Sequence, residues 1–354
     1  MQKINSPSFF IGKSGDGLIS FGSGQPDMSP PKEIYKILAK YRGFKYGLVQ
    51  GQENLRVMLA KEYPCAKADN FVITNGASEA MDLALRALYR PGAKVALPRP
   101  YYYSYPHNVR LARMTPVYYD LVKGKIDLGN FAKVIKGCRA VVINSPSNPT
   151  GTVQELDVLK KIEKLAQKLK VYIISDEVYK DLIYVRRNYL MEGQNVLTLN
   201  SFSKTFNMCG FRVGYVYARE KWLIDKIVEI KTHTAMNTNI LAQDMAYEAM
   251  KVPKSFVKKQ CQVWLSRRDF IYEGLKKLGL DLWKPEGAFY VFPKMRNPNK
   301  VVNDLYYKYK VIVYDGTWFG SPNRVRFSYA LDLPKIKEGL RRVGEYMKKE
   351  YKKN

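Results

Sequence analysis

The sequence predicts an α/β fold in which a mostly parallel sheet is sandwiched by helices, followed by a smaller α+β domain. Three observations predict it. From about residue 70, short apolar runs alternate with amphipathic helical patterns. Those runs are continuously apolar, as strands covered on both faces are, and do not alternate polar with apolar. After residue 219 the pattern changes to long helical stretches and then to short β-rich segments. A chain of 354 residues suits two packed domains better than one.

Taken in order, residues 71–74 (Phe-Val-Ile-Thr) read as a strand. Residues 77–90 read as a helix, because Ala80, Leu83, Ala84 and Leu88 recur at helical spacing. Strands are expected over 94–97, 115–119, 140–144, 171–175, 196–200 and 213–218, with helices near 102–111 and over 154–169. Further helices are expected over 221–231, 240–250 and roughly 255–278. A meander of strands at 288–292, 311–313 and 324–328 follows, then a terminal helix from about Pro334. The expected division is an N-terminal arm and segment, 1–40, packing with the small domain, a large domain over 41–240, and the small domain over 241–354. No internal repeat is visible.

Composition excludes several classes of function. Hydrophobic residues make up 46% of the chain, yet no apolar run approaches the roughly 18 residues a membrane helix needs. The first residues, Met1 to Pro7, hold no apolar stretch like that of a secretion signal, so a cytoplasmic protein without a membrane partner is expected. Four cysteines (Cys65, Cys138, Cys209, Cys261) lie far apart and read as reduced core residues. With only two histidines besides, no metal site is expected. The net charge of +27 would suit a nucleic-acid binder. The basic residues are spread along the whole chain, however, and only the tail over 348–353 is a dense run. A solvated basic surface that attracts anionic ligands is the expected reading, with no nucleic-acid partner.

The chemistry-bearing residues gather at strand ends. Asp176 follows an apolar strand directly, and Tyr179 comes three residues later. Lys204 lies in Ser201-Phe202-Ser203-Lys204-Thr205, just past another strand, and Arg212 opens the next. Each alone is ordinary, since Asp caps helices and Lys sits on surfaces. Together they answer one need. Gly76-Ala77-Ser78 at a helix start offers free backbone donors to a phosphate, and Ser201, Ser203 and Arg212 add hydroxyls and charge. Tyr101, Tyr102 and Tyr103 offer a stacking face, Asp176 a partner for a protonated ring nitrogen, and Lys204 an amine for an aldehyde. No phosphate-binding G-x-x-x-x-G-K-[ST] string occurs, and no G-x-G-x-x-G follows a strand.

The strings Asn144-Ser145-Pro146-Ser147-Asn148-Pro149-Thr150-Gly151, Ser175-Asp176-Glu177-Val178-Tyr179, Ser201-Phe202-Ser203-Lys204-Thr205-Phe206 and Gly210-Phe211-Arg212-Val213-Gly214 resemble those of the class I/II aminotransferases of pyridoxal-phosphate fold type I. The match runs from Gly24-Gln25-Pro26-Asp27 to Arg326-Phe327-Ser328-Tyr329-Ala330. The resemblance implies a pyridoxal 5'-phosphate enzyme that moves an amino group between an amino acid and a 2-oxo acid by a ping-pong mechanism. It implies that Lys204 forms the imine and carries the proton, that Asp176 pairs with the pyridinium nitrogen, and that Asn148 and Tyr179 hold the phenolic oxygen. Tyr102 takes the stacking position, where many relatives have Trp. Ala77, Ser78, Ser201, Ser203 and Arg212 match the phosphate cup. Tyr46 resembles the tyrosine that reaches the neighbouring subunit's phosphate, which implies a homodimer with shared active sites. Arg326 resembles the arginine that grips the substrate α-carboxylate, with Arg324 a decoy expected on the same strand face, and Gly24 the position where backbone approaches that carboxylate. A lyase or decarboxylase acting on an amino acid is the alternative the scaffold leaves open. Acidic, aromatic, branched and histidinol-phosphate substrates all occur among such relatives.

Overall fold

The computed structural model describes residues 4–39, 41–185 and 189–351. Lys352 and Lys353 of the basic tail, Lys40 at an expected boundary and the first three residues lie outside them. In chain order the elements are β1 (Ile19–Ser20), α1 (Glu53–Ala60), β2 (Phe71–Thr74), α2 (Gly76–Ala87), β3 (Lys94–Arg99), α3 (Tyr105–Leu111), β4 (Thr115–Val122), β5 (Lys125–Ile126), α4 (Leu128–Ile135), β6 (Ala140–Asn144), α5 (Leu156–Lys168), β7 (Tyr172–Asp176), β8 (Val196–Ser201), α6 (Phe202–Thr205) and β9 (Gly214–Ala218). Then come α7 (Lys221–Thr232), α8 (Ile240–Met250), α9 (Ser255–Lys277), β10 (Tyr290–Val291), α10 (Pro298–Tyr309), β11 (Val311–Ile312), β12 (Tyr314–Asp315), β13 (Val325–Ser328) and α11 (Leu333–Tyr346).

The large sheet has the order β2-β9-β8-β7-β6-β3-β4-β5. Its neighbours β8, β7, β6, β3 and β4 are parallel, while β9 runs antiparallel between β2 and β8, and β5 antiparallel to β4. Successive apolar residues point to opposite faces, and both faces are covered. Val95, Leu97, Val142 and Ile174 meet Leu83 and Ala84 of α2 and Leu223 and Ile227 of α7. Ala96, Val141, Ile143 and Ile173 meet Phe131 of α4 and Leu159 and Ile162 of α5. That double burial is why these strands read as unbroken apolar runs.

A three-stranded antiparallel sheet, β10-β13-β12, forms the second structural unit, with α9, α10 and α11 around its core. Here the expected meander is corrected. The strand at 311–312 leaves it and pairs in parallel with β1, so that Ile19 lies opposite Val311. Its place beside β13 goes to Tyr314–Asp315. The N-terminal segment divides between the two cores: Ile4, Phe10, Ile19 and Phe21 join the smaller one, but Ile34 joins the large one. Helix α8, placed beyond the expected boundary at 240, packs Ala242, Met245 and Ala246 against Phe71, Ile73 and Tyr215 of the large sheet. Its apolar face shares the outer surface of β2 and β9 with Leu55 and Leu59 of α1, Ile34 and Phe202.

Among the described residues no helix is long and apolar enough to cross a membrane, and no cluster of three or more metal-ligating side chains occurs. The cysteines differ from their expected placement, for only Cys138 is buried, whereas Cys65 is exposed.

Candidate active site

Every parallel strand of the large sheet ends on the same edge, and the candidate residues follow those ends. Asn75 to Ser78 follow β2, Tyr101 to Tyr105 follow β3, Asn148 follows β6, Tyr179 follows β7 and Lys204 follows β8. Arg212 reaches this edge because β9 is antiparallel: its first residue, Gly214, sits opposite both Thr74 and Ser201, the last residues of β2 and β8.

Asp176 is the last residue of β7 and is buried. Its Oδ2 accepts from the Tyr105 hydroxyl at 2.5 Å, and its Oδ1 from the Val178 amide at 3.3 Å. Burial pushes its carboxyl above the ordinary range, and these two hydrogen bonds draw it back. The Tyr102 ring stands edge-on to Tyr105, with centroids 5.5 Å apart.

Lys204 lies on the short helix α6, whose start Ser201 caps by accepting from the Ser203 amide at 3.1 Å. Its Nζ donates to the Gly24 carbonyl at 2.6 Å. Loss of water around the amine lowers its pKa; Cys209 beside it pushes the other way, and the positive charges of Arg212 and Arg326 add smaller downward effects. This is the direction a base working near neutral pH requires.

Arg326 enters from the second sheet. Along β13 its side chain points opposite to Phe327, which packs in the core on Phe21. Across the ladder it faces Tyr314. Its guanidinium lies 4.5 Å from the Tyr290 ring centre, 4.7 Å from Tyr314 and 4.9 Å from Phe319. One terminal nitrogen donates to Asn148 Oδ1 at 2.9 Å and the other to the Gly22 carbonyl. Its Nε is buried without a partner, and among the described residues no carboxylate pairs with it. A fully buried, unneutralised guanidinium is a site prepared for an anion. Arg324 behaves otherwise. It precedes β13, donates to the Phe292 carbonyl at 2.7 Å and lies 4.2 Å over the Trp283 ring. It continues the β13 ladder opposite Lys294, on the expected shared face two residues from Arg326, but Trp283 and the Phe292 carbonyl engage it instead of Asn148.

The residues expected to cup an anion have their own marks. Gly76 has φ +77, and a Cβ there would come within 2.6 Å of Arg212 Nη2. Only glycine lets the turn and the guanidinium approach so closely. Arg212 is exposed, as is Ser78, and donates to the Cys209 carbonyl at 2.8 Å. The Ser201 and Ser203 hydroxyls lie 2.8 Å apart at the end of β8, where Ser201 pairs with Gly214 just past Arg212. Gly24 is constrained too, since a Cβ would lie 2.6 Å from the Tyr290 hydroxyl. Thus the structure gathers Gly24, Ala77, Ser78, Tyr102, Asn148, Asp176, Tyr179, Ser201, Ser203, Lys204, Arg212 and Arg326 around the strand ends. Tyr46 stands apart: within one chain it is 84% exposed, beside exposed Phe44 and Leu48.

Three participants were not singled out from sequence. Tyr290 shares a 2.7 Å hydrogen bond with the Tyr179 hydroxyl. Tyr105 holds Asp176, and the Gly22 carbonyl holds Arg326. The tyrosine run over 101–105 carried a signal for Tyr105. A backbone carbonyl carries none.

Glu177, next to Asp176, is also buried. Ser175 Oγ donates to its Oε1 at 2.9 Å, while Oε2 has no partner. Burial pushes its carboxyl up to about 8. A raised carboxyl favours the protonated form in the folded state, so its contribution is fully present below the unfolded value and is lost as pH rises through the folded one. Glu177→Gln is therefore expected to match the native protein near pH 4.5 and to gain stability progressively up to about pH 8. Denaturant titrations across that range check it, and a constant difference at all pH values would count against it.

The model of the family "Aminotransferase class I and II" matches residues 16–343. A probable aspartate/prephenate aminotransferase of Aquifex aeolicus is 36% identical, with 93% of this chain and 91% of that protein covered. The crystal structure of an aspartate aminotransferase from Thermotoga maritima superposes with a TM-score of 0.90 at 30% identity, covering 97% of this chain and 95% of the other. An aromatic aminotransferase from Pyrococcus horikoshii superposes with a TM-score of 0.89 at 31% identity, covering 97% and 99%.

Proposed function

Since the chain belongs to the class I and II aminotransferases, we propose that it binds pyridoxal 5'-phosphate at the strand ends and exchanges amino groups by a ping-pong mechanism, with Lys204 as the working amine. Enzymes of this family act on amino acids and 2-oxo acids and are generally pyridoxal-phosphate dependent. One observation carries the assignment of residues. Lys204 Nζ and the Arg326 guanidinium converge on one backbone segment, at the Gly24 and Gly22 carbonyls respectively. A proton-carrying amine and a carboxylate clamp are thus held two residues apart, as a reaction at the carbon next to a carboxylate requires.

The residues fit the cofactor. The free amides at the start of α2, the Gly76 turn and Arg212 suit a phosphate, the Ser201 and Ser203 hydroxyls add donors, and the Tyr102 ring suits an aromatic face. The buried Asp176 carboxylate gains the cation it lacks from a protonated ring nitrogen. Asn148 and Tyr179 supply donors for a ring oxygen. When bound, the cofactor supplies an aldehyde for an amine and a ring that draws electrons.

This chain's groups do the rest. Arg326 binds the substrate carboxylate through two parallel nitrogens, and Asn148 holds one of them in place. Gly24 leaves room for that carboxylate. Lys204, its pKa lowered, takes the proton from the substrate Cα and returns it within its own reach. Cofactor binding falls to the large unit, extended to residue 250 by the packing of α8, and carboxylate binding to the second sheet. The exposed Phe44, Tyr46 and Leu48 support a homodimer in which Tyr46 reaches the partner's phosphate. A monomer in sedimentation at micromolar concentration would sink that part.

The discriminating assay supplies an amino acid and 2-oxoglutarate to the purified protein. Stoichiometric glutamate and 2-oxo acid are expected. Free ammonia with 2-oxo acid and no glutamate would instead support elimination chemistry.

A further inference from the structure

We propose that Lys231 is a positioning residue for the anion cup, acting through Glu79 and Asn75 on the Gly76 turn and Arg212. The inference rests on the reading that this cup holds the cofactor phosphate.

Lys231 lies on α7, and its side chain is 0% exposed. A lysine is almost never fully buried unless paired. Its Nζ donates to the Met236 carbonyl and lies 3.8 Å from Glu79 Oε2. That same carboxylate oxygen accepts from the Asn75 amide at 2.6 Å and from Asn75 Nδ2 at 3.1 Å. Asn75 is the N-cap residue of α2, yet its side chain makes no capping bond and is turned to Glu79 instead. Its carbonyl in turn accepts from Arg212 Nη2 at 3.4 Å. A continuous polar chain therefore runs from a buried ammonium to the guanidinium of the cup.

Two effects follow, and both favour a phosphate. The first is geometric, because Glu79 ties down the backbone just before Gly76, the residue at φ +77 whose conformation aims the free amides of α2. The second is electrostatic. Glu79 stands in the first turn of α2, where its negative charge competes with an incoming anion for the positive helix end. Lys231 neutralises that charge from within the protein. A buried ion pair adds little to stability beyond what apolar side chains would supply, so its placement is better explained by the charge it sets.

The test compares pyridoxal phosphate with pyridoxal, which lacks the phosphate, by titrating cofactor-depleted protein and following tryptophan fluorescence. Native protein is expected to prefer the phosphorylated form strongly. Lys231→Met is expected to reduce that preference about tenfold, the effect of a coupling of roughly 1.4 kcal/mol, with pyridoxal affinity little changed. Adding Glu79→Gln to Lys231→Met removes the negative charge left unneutralised and is expected to restore most of the preference, which a merely structural loss would not do. Should Lys231→Met fail to fold, Lys231→Gln, which still donates to the Met236 carbonyl, is read in the same way. An unchanged preference in the single variant, or a double variant no better than the single, overturns the inference. Native protein that binds both forms equally overturns the cup reading itself.

Discussion

Lys204→Ala is expected to lower kcat for amino transfer by about four orders of magnitude, the upper end of what a positioned acid–base group contributes. The reason lies in what no neighbour can replace. Lys204 Nζ is the amine held at the Gly24 carbonyl, and its lowered pKa comes first from burial and then from Arg212 and Arg326. Two other buried amines are committed elsewhere: Lys180 to Asp181 and Glu62, and Lys231 to Glu79. Steady-state glutamate formation measures the loss. The visible absorbance of the bound cofactor should shift in the same variant, since its aldehyde no longer has this amine. Retention of both activity and spectrum would remove Lys204 from the mechanism.

The second large effect is expected at Arg326. Arg326→Lys should reduce kcat/KM by roughly 10–10², corresponding to about 1.5–3 kcal/mol for a lost hydrogen bond to a charged group. A lysine keeps the charge but cannot offer two parallel donors, nor fill the plane between Tyr290, Tyr314 and Phe319. Asn148 would also lose the donor that now orients it. Arg324→Lys is the control and should stay within a few-fold of native, because Arg324 caps Trp283 and the Phe292 carbonyl away from the cup. If the two variants lose activity equally, the choice between the two arginines made here is wrong.

Much of this was legible in the chain because local physics agrees with the global fold. A strand buried on both faces must be apolar throughout, so β3, β6, β7 and β8 announce themselves. Polar residues that end such strands, Asp176 and Ser201 among them, then stand on the ligand-binding edge. Other elements were less legible. Helix α10 begins with Pro298 and buries Val301, Val302 and Leu305, but its short apolar stripe is diluted by Asn and Lys. Strands β10 to β12 have two residues each, too few for any period to show. Whether 311–312 pairs with β13 or with β1 depends on where the N-terminal segment lies, and residues nearly 300 positions apart in sequence leave no local trace.

The sequence by itself determined the class of fold, the order of the strand ends and the chemical types gathered there, because burial and backbone donors act through neighbours in the chain. Only the tertiary structure decided how the two arginines differ, since Trp283 and the Phe292 carbonyl engage Arg324 while Asn148 and the Gly22 carbonyl engage Arg326. It also decided that Tyr105 and Tyr290 serve Asp176 and Tyr179, and that Lys231 neutralises Glu79. Each of these is a contact between distant segments. A side chain's charge and hydrogen bonds belong to what packs against it, and packing between distant segments is set by the whole fold.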